Sequence, residues 1–165
     1  MWNTGVADLR LPPQVQKTTE QLGLGQDPTV LRLPDGLEVV GDSWFILSDI
    51  EKLIIPNCVK KLGNYAFSNC VRLREVVFEA GSQLETIGRY CFSSCGIERM
   101  TVPRSVRDIG NDAFDGCRRL CSFAFEDGSL LEHVGRNVLL GTQLEGEKGL
   151  FPRTARVDGD AGAHQ

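Results

Sequence analysis

The sequence predicts an α/β repeat fold: a solenoid with a parallel β-sheet on one face and short turns or helical turns on the other. Three observations carry this reading. An aliphatic residue followed by glycine recurs at Gly41, Gly63, Gly88, Gly110 and Gly135, with spacings of 22, 25, 22 and 25. Pairs of units repeat at 47 residues, so Ile55 matches Val102, Phe78 matches Phe125 and Cys70 matches Cys117. Within a unit, apolar residues alternate before a turn, at Val76 and Phe78 and again at Met100 and Val102. Period two marks a strand with one buried face. A unit this small cannot bury that face alone, whereas stacked units can.

Residues 1–27 hold one weak copy, "VADLRLPPQV" (6–15), and are expected to be a degenerate N-terminal repeat or cap. Residues 28–142 form the solenoid, about five units of 22–25 residues. Short units read "LRLPDGLEVVG" (31–41), "LIIPNCVKKLG" (53–63) and "MTVPRSVRDIG" (100–110). Long units read "VVFEAGSQLETIG" (76–88) and "FAFEDGSLLEHVG" (123–135), where Phe-Glu-x-Gly-Ser-x-Leu replaces Pro-x-x-Val. After each glycine a few residues lead to a phenylalanine and suit one helical turn. Phe45, Phe67, Phe92 and Phe114, ending in Leu139, are expected to form an inner aromatic column. Val40, Leu62, Ile87, Ile109 and Val134 form an aliphatic one. Residues 143–165 are rich in Gly, Asp and Ala and are expected to be a disordered tail. That leaves Phe123 and Phe125 uncovered at the end of the stack. Either 144–152 folds back as an irregular cap, the end self-associates with another copy, or the chain is part of a longer array.

The units "IPNCVKKLGNYAFSNCVRL" (55–73), "FEAGSQLETIGRYCFSSC" (78–95) and "VPRSVRDIGNDAFDGCRRL" (102–120) resemble the BspA-type leucine-rich repeat family. The resemblance covers about 28–142. It implies a curved leucine-rich-repeat solenoid used for protein–protein contact, often displayed on cell surfaces as an adhesin or antigen. It transfers no catalytic residue.

Composition narrows the function. The chain has 165 residues, 41% hydrophobic and 24% charged, with a net charge of −4. An acidic balance argues against general binding to nucleic acid or anionic membrane. No apolar run is long enough to span a bilayer, so membrane insertion is not expected. The N-terminus lacks the basic and apolar regions of a signal peptide. A genuine N-terminus would favour a cytoplasmic location, and a fragment a cell-surface one.

The residues that could carry chemistry are few. Cys91, Cys95, Cys117 and Cys121 faintly suggest a zinc site. The repeat offers another reading: Cys70, Cys95 and Cys117 share a position taken by Ser48 and Thr142 at the ends, and Cys91 replaces an alanine. Free cysteine packs as a small hydrophobe. A disulfide between neighbouring rungs stays open as an alternative. Of the two histidines, His133 falls on an exposed position equivalent to Lys61, Thr86 and Asp108, and His164 lies in the tail. "GTQLEGEKG" (141–149) lacks the Ser or Thr that a phosphate loop places after its lysine. Asp112 and Asp115 are expected in solvent. No enzyme activity and no cofactor site is expected.

The charges alternate in one column: Glu38, Lys60, Glu85, Arg107 and Glu132. Opposite neighbours at rung spacing read as an ion ladder, each exposed pair worth about 0–1 kcal/mol. The candidate partner-binding face is the outer side of the strands. Arg32, Ile54, Val77, Thr101 and Ala124 form one outward column, apolar or small at its centre. Val30, Lys52, Glu75, Arg99 and Ser122 form the next, mixed in charge. A neutral centre with a charged rim suits a protein or peptide partner. The alternative is that Ile54 and Val77 are there as β-formers.

Overall fold

The computed structural model describes residues 29–159; the expected N-terminal cap at 1–27 and His164 lie outside them. Eleven strands follow in order: β1 (Val30–Arg32), β2 (Val39–Val40), β3 (Lys52–Ile55), β4 (Lys61–Leu62), β5 (Glu75–Phe78) and β6 (Thr86–Ile87). The rest are β7 (Arg99–Val102), β8 (Asp108–Ile109), β9 (Ser122–Phe125), β10 (His133–Val134) and β11 (Arg156–Val157). All pairings are parallel and join equivalent strands of successive turns. The result is a parallel-sheet solenoid of about six turns. The two-residue strands form one continuous six-stranded ladder, β2-β4-β6-β8-β10-β11. The longer strands form the other face.

The core is built from columns. Phe45, Phe67, Phe92 and Phe114 stack nearly parallel, with centroids 5.3, 5.5 and 5.5 Å apart and planes within 14° of each other. All four are fully buried, as are Val40, Leu62, Ile87, Ile109 and Val134. A glycine stands after each aliphatic residue because successive turns touch there by backbone. A Cβ on Gly88 would lie 2.6 Å from the carbonyl carbon of Gly63, and one on Gly110 would lie 2.6 Å from the amide nitrogen of Arg89.

Helical turns are not found on the far side: among the described residues there is no helix. The reason is local backbone geometry. Each of the first five turns holds two left-handed residues four apart, such as Tyr65 (φ 57°) and Asn69 (φ 58°), or Tyr90 (φ 52°) and Ser94 (φ 57°). A left-handed residue at every fourth position interrupts any α-helical series. The amides then alternate between two uses. Phe67 N–H donates to Cys91 O of the next turn (2.9 Å), Ser68 N–H to Tyr65 O (3.2 Å), and Asn69 N–H to Ser93 O (2.7 Å). Each turn is thus closed on itself and laddered to its neighbour.

Leu47 adopts this left-handed conformation (φ 62°) with its side chain 68% exposed. Its equivalents are Asn69, Ser94, Gly116 and Gly141, types better suited to that region. Leu47→Asn is expected to stabilise the protein by about 1 kcal/mol, read as a higher urea midpoint.

The expected tail is ordered over 143–159. Leu144, Phe151 and Ala155 are buried, and β11 extends the six-stranded ladder. Phe151 lies 6.0 Å from Phe123 and 6.1 Å from Phe125, ring centre to ring centre. This covers the apolar end of the stack and takes away the apolar reason for end-to-end association there. The sixth turn was hidden because it is shortened: Val157 follows Pro152 by five residues, against six from Pro103 to Ile109.

Candidate functional site

The strand registers place the candidate residues in two columns. Arg32, Ile54 and Val77 are in register across β1, β3 and β5, and Thr101 faces Ala124 across β7 and β9. Two residues earlier on each strand, Val30, Lys52 and Glu75 align, as do Arg99 and Ser122. Glu75, Arg99, Thr101, Ser122 and Ala124 are exposed; Arg32, Lys52, Ile54 and Val77 are half-buried.

Much of the charge on this face is internally paired. Lys52 Nζ lies 3.4 Å from Glu75, and Arg32 bridges Asp35 (2.9 Å) and Glu79 (2.8 Å). Hydrogen bonds to Asp35 and Glu79 hold the Arg32 guanidinium more firmly protonated than usual. At the strand starts, Glu98 accepts from Arg119 (2.7 Å) and Arg74 (3.4 Å). Arg119 chiefly lowers the pKa of that carboxyl. Arg99 forms no ion pair or side-chain hydrogen bond among the described residues.

The strand face is split. β1-β3-β5 form one sheet and β7-β9 another, and no pairing joins β5 to β7. The opposite ladder runs unbroken through the same two turns, with Ile87 paired to Ile109. The split falls where a long unit is followed by a short one, the single such step between successive strand-face strands. An open cleft of about 590 Å³ lies there, lined by Arg74, Glu75, Val76, Phe78, Glu98, Arg99, Thr101 and Glu126.

The column cysteines lie near enough to act on one another, Cys95 with Cys70 and Cys117, and all six described cysteines are free thiols. Each thiol of the column donates to a phenylalanine carbonyl of a preceding turn: Cys70 to Phe45 O (3.1 Å), Cys95 to Phe67 O (3.1 Å) and Cys117 to Phe92 O (3.0 Å). Burial pushes the thiols of Cys91 and Cys95 up, and that of Cys117 to about 12. Protonated thiols are poor metal ligands and poor nucleophiles. Cys121 is exposed and donates to Glu98 O (3.4 Å). Among the described residues no group of three or more His, Cys, Asp or Glu is arranged to hold a metal ion.

The charge column is paired only at its ends. Lys60 reaches Glu38 (3.2 Å) and Arg107 pairs with Glu132, whereas Glu85 contacts neither Lys60 nor Arg107 within 4.0 Å. Asp112 and Asp115 are half-buried, and burial raises the pKa of Asp115.

His133 has partners that the sequence did not reveal. Its Nδ1 lies 3.0 Å from Asp108 and its Nε2 2.7 Å from Asp158, so the ring ties three successive turns together. Asp158 escaped notice because its turn did. Hydrogen bonds to Asp108 and then Asp158 raise the His133 pKa above 6.5, and the bond to His133 lowers that of Asp158 below 3.8. The histidine contribution is full below its ordinary pKa and is lost as pH rises through the raised value. The Asp158 contribution is present above 3.8 and is lost as pH falls through the lowered value. The cap is therefore expected to be firmest between about pH 4 and 6.5. With the ring 37% exposed, the wild type should lose under about 1 kcal/mol between pH 6 and 9. His133→Gln should flatten that slope in thermal melts.

A parallel ladder of short, repeated turns is a repeat-protein architecture. The chain belongs to the BspA-type leucine rich repeat family, whose region matches in six copies across residues 31–148. No curated protein matches the chain. Solved structures share the fold. The pneumococcal vaccine antigen PcpA aligns at TM-score 0.68 and 21% identity, over 81% of this chain and 37% of that one. The Treponema protein described as T. pallidum leucine rich repeat protein aligns at 0.51 and 25%, over 65% and 58%. A leucine rich cell surface protein of Faecalibacterium prausnitzii A2-165 aligns at 0.50 and 18%, over 78% and 43%. The chain thus spans less than two thirds of the length of each. Among the described residues no helix is long and apolar enough to cross a membrane.

Proposed function

We propose that this chain is a non-catalytic scaffold that binds a partner protein on its strand face. The observation that supports this reading best is the outward column of Ile54, Val77, Thr101 and Ala124. It is apolar or small, and it is bordered by Lys52–Glu75, already neutralised, and by Arg99, which makes no ion pair within 4.0 Å among the described residues. A dry centre with a polar border is the anatomy of a protein interface. The test is affinity capture from the source organism with three forms of the protein: wild type, Ile54→Glu with Thr101→Glu, and Tyr65→Lys on the turn side. A partner kept by the turn variant and lost by the strand variant supports the strand face. The reverse pattern overturns it.

A second reading, an adhesion or antigen module at a cell surface, draws on the neighbours described as a vaccine antigen and a cell surface protein. Thiol counting on protein from its own source separates the two. Six free thiols favour a reducing compartment, and thiols lost in pairs favour an oxidising one.

A further inference from the structure

A break in the middle of a parallel sheet leaves two rows of backbone N–H and C=O groups facing each other across a gap. Three independent features mark this gap as open. No ladder joins β5 to β7. The cleft of about 590 Å³ is lined from both strands. Val76 and Phe78, which point inward, are only half-buried, whereas Leu53, Ile55, Met100 and Val102 on the flanking strands are at most 2% exposed. An outer edge offers an incoming strand one row of partners; this slot offers two.

Resting on the strand-face reading above, we infer that the slot between β5 and β7 receives one extended peptide strand, pairing with both. Side-chain alternation dictates the occupant. Residues level with Val76 and Phe78 point into the core and must be apolar. Those level with Glu75 and Val77 point outward. At the strand starts Arg99 makes no ion pair within 4.0 Å among the described residues, and Glu75 across the slot is already paired with Lys52 (3.4 Å). At the far end Glu126 accepts the N–H of Arg104 (2.9 Å) and, among the described residues, no side-chain cation. A peptide running parallel to β5 therefore reads acidic, apolar, any, apolar, basic. Its acid meets Arg99 and its base meets Glu126.

The probe is the end-capped peptide Glu-Val-Thr-Val-Lys, with amide hydrogen exchange as the readout. In the free protein, slot-facing amides of β5 and β7 are expected to exchange faster than those of β3. Saturating peptide should slow them by about tenfold or more. Arg99→Glu, an exposed change that leaves the core intact, should weaken binding at least about tenfold. Ser122→Glu, outside the slot, should not. Backbone N-methylation of the peptide should abolish binding, since the main chain carries the recognition. The slot is overturned if β5 and β7 amides are already fully protected, if the peptide binds without protecting them, or if no saturable binding occurs. A captured partner that depends on Ile54 and Thr101 but is not displaced by the peptide would leave the strand face standing and remove the slot.

Discussion

Gly88→Ala is expected to cost at least about 3 kcal/mol, the loss of a large share of a domain's usual 5–15 kcal/mol. The added Cβ would sit 2.6 Å from the carbonyl carbon of Gly63, 2.7 Å from Asn64 N and 2.7 Å from Gly63 O. These are backbone atoms, and no side-chain rotation relieves them. The turn is held on both sides, because Gly88 N–H is bonded to Leu62 O (2.9 Å) and Gly110 N–H of the next turn is bonded to Ile87 O (2.8 Å). Gly128→Ala is the matched control. It has a left-handed φ of 77° and nothing within 4 Å, so it should cost only about 1 kcal/mol, from conformation alone. Urea unfolding of the two variants decides the matter: equal midpoints would show that the glycine column is not a contact seam.

Phe92→Ala is expected to cost about 3–5 kcal/mol. Phe92 is fully buried and has a ring 5.5 Å away on either side. The cavity would open at the centre of the column, where turns are held by neighbours and cannot collapse independently. In a linear stack, stability is close to a sum of unit and junction terms. Losing both junctions of a middle turn should therefore split the calorimetric transition into two, while Phe45→Ala, with one stacked neighbour, should shift a single transition. Phe92→Leu should be far milder, since Leu139 fills the same position one turn from the cap.

The columns were legible in the sequence because identical neighbours impose identical demands: a glycine where backbones touch, a flat ring where rings stack, a small thiol beneath a carbonyl. Strand registers followed from the same recurrence. The turn conformation was not legible. Tyr65, Tyr90 and Leu47 are poor left-handed residues by type, and only inter-turn hydrogen bonds explain their backbone. The split between β5 and β7 was hidden for a different reason. The unit lengths of 25 and 22 can be counted, but a count does not say which side absorbs the difference. The sixth turn was lost through a one-residue shortening and through Asp158, which separates Val157 from Gly159. With it went the second partner of His133; a cap over Phe123 was legible as one of three possible endings, because Phe123 and Phe125 needed cover.

The unbroken ladder on one side and the severed sheet on the other have a mechanical consequence. A rod that is bonded along one wall and cut through the opposite wall bends at the cut. With the ring stack and the glycine seam continuous, flexure of this solenoid is expected to concentrate at the junction between its third and fourth turns. Bending one way widens the gap, and bending the other way shuts it. A load on the two ends is then expected to move that one junction before the paired ones.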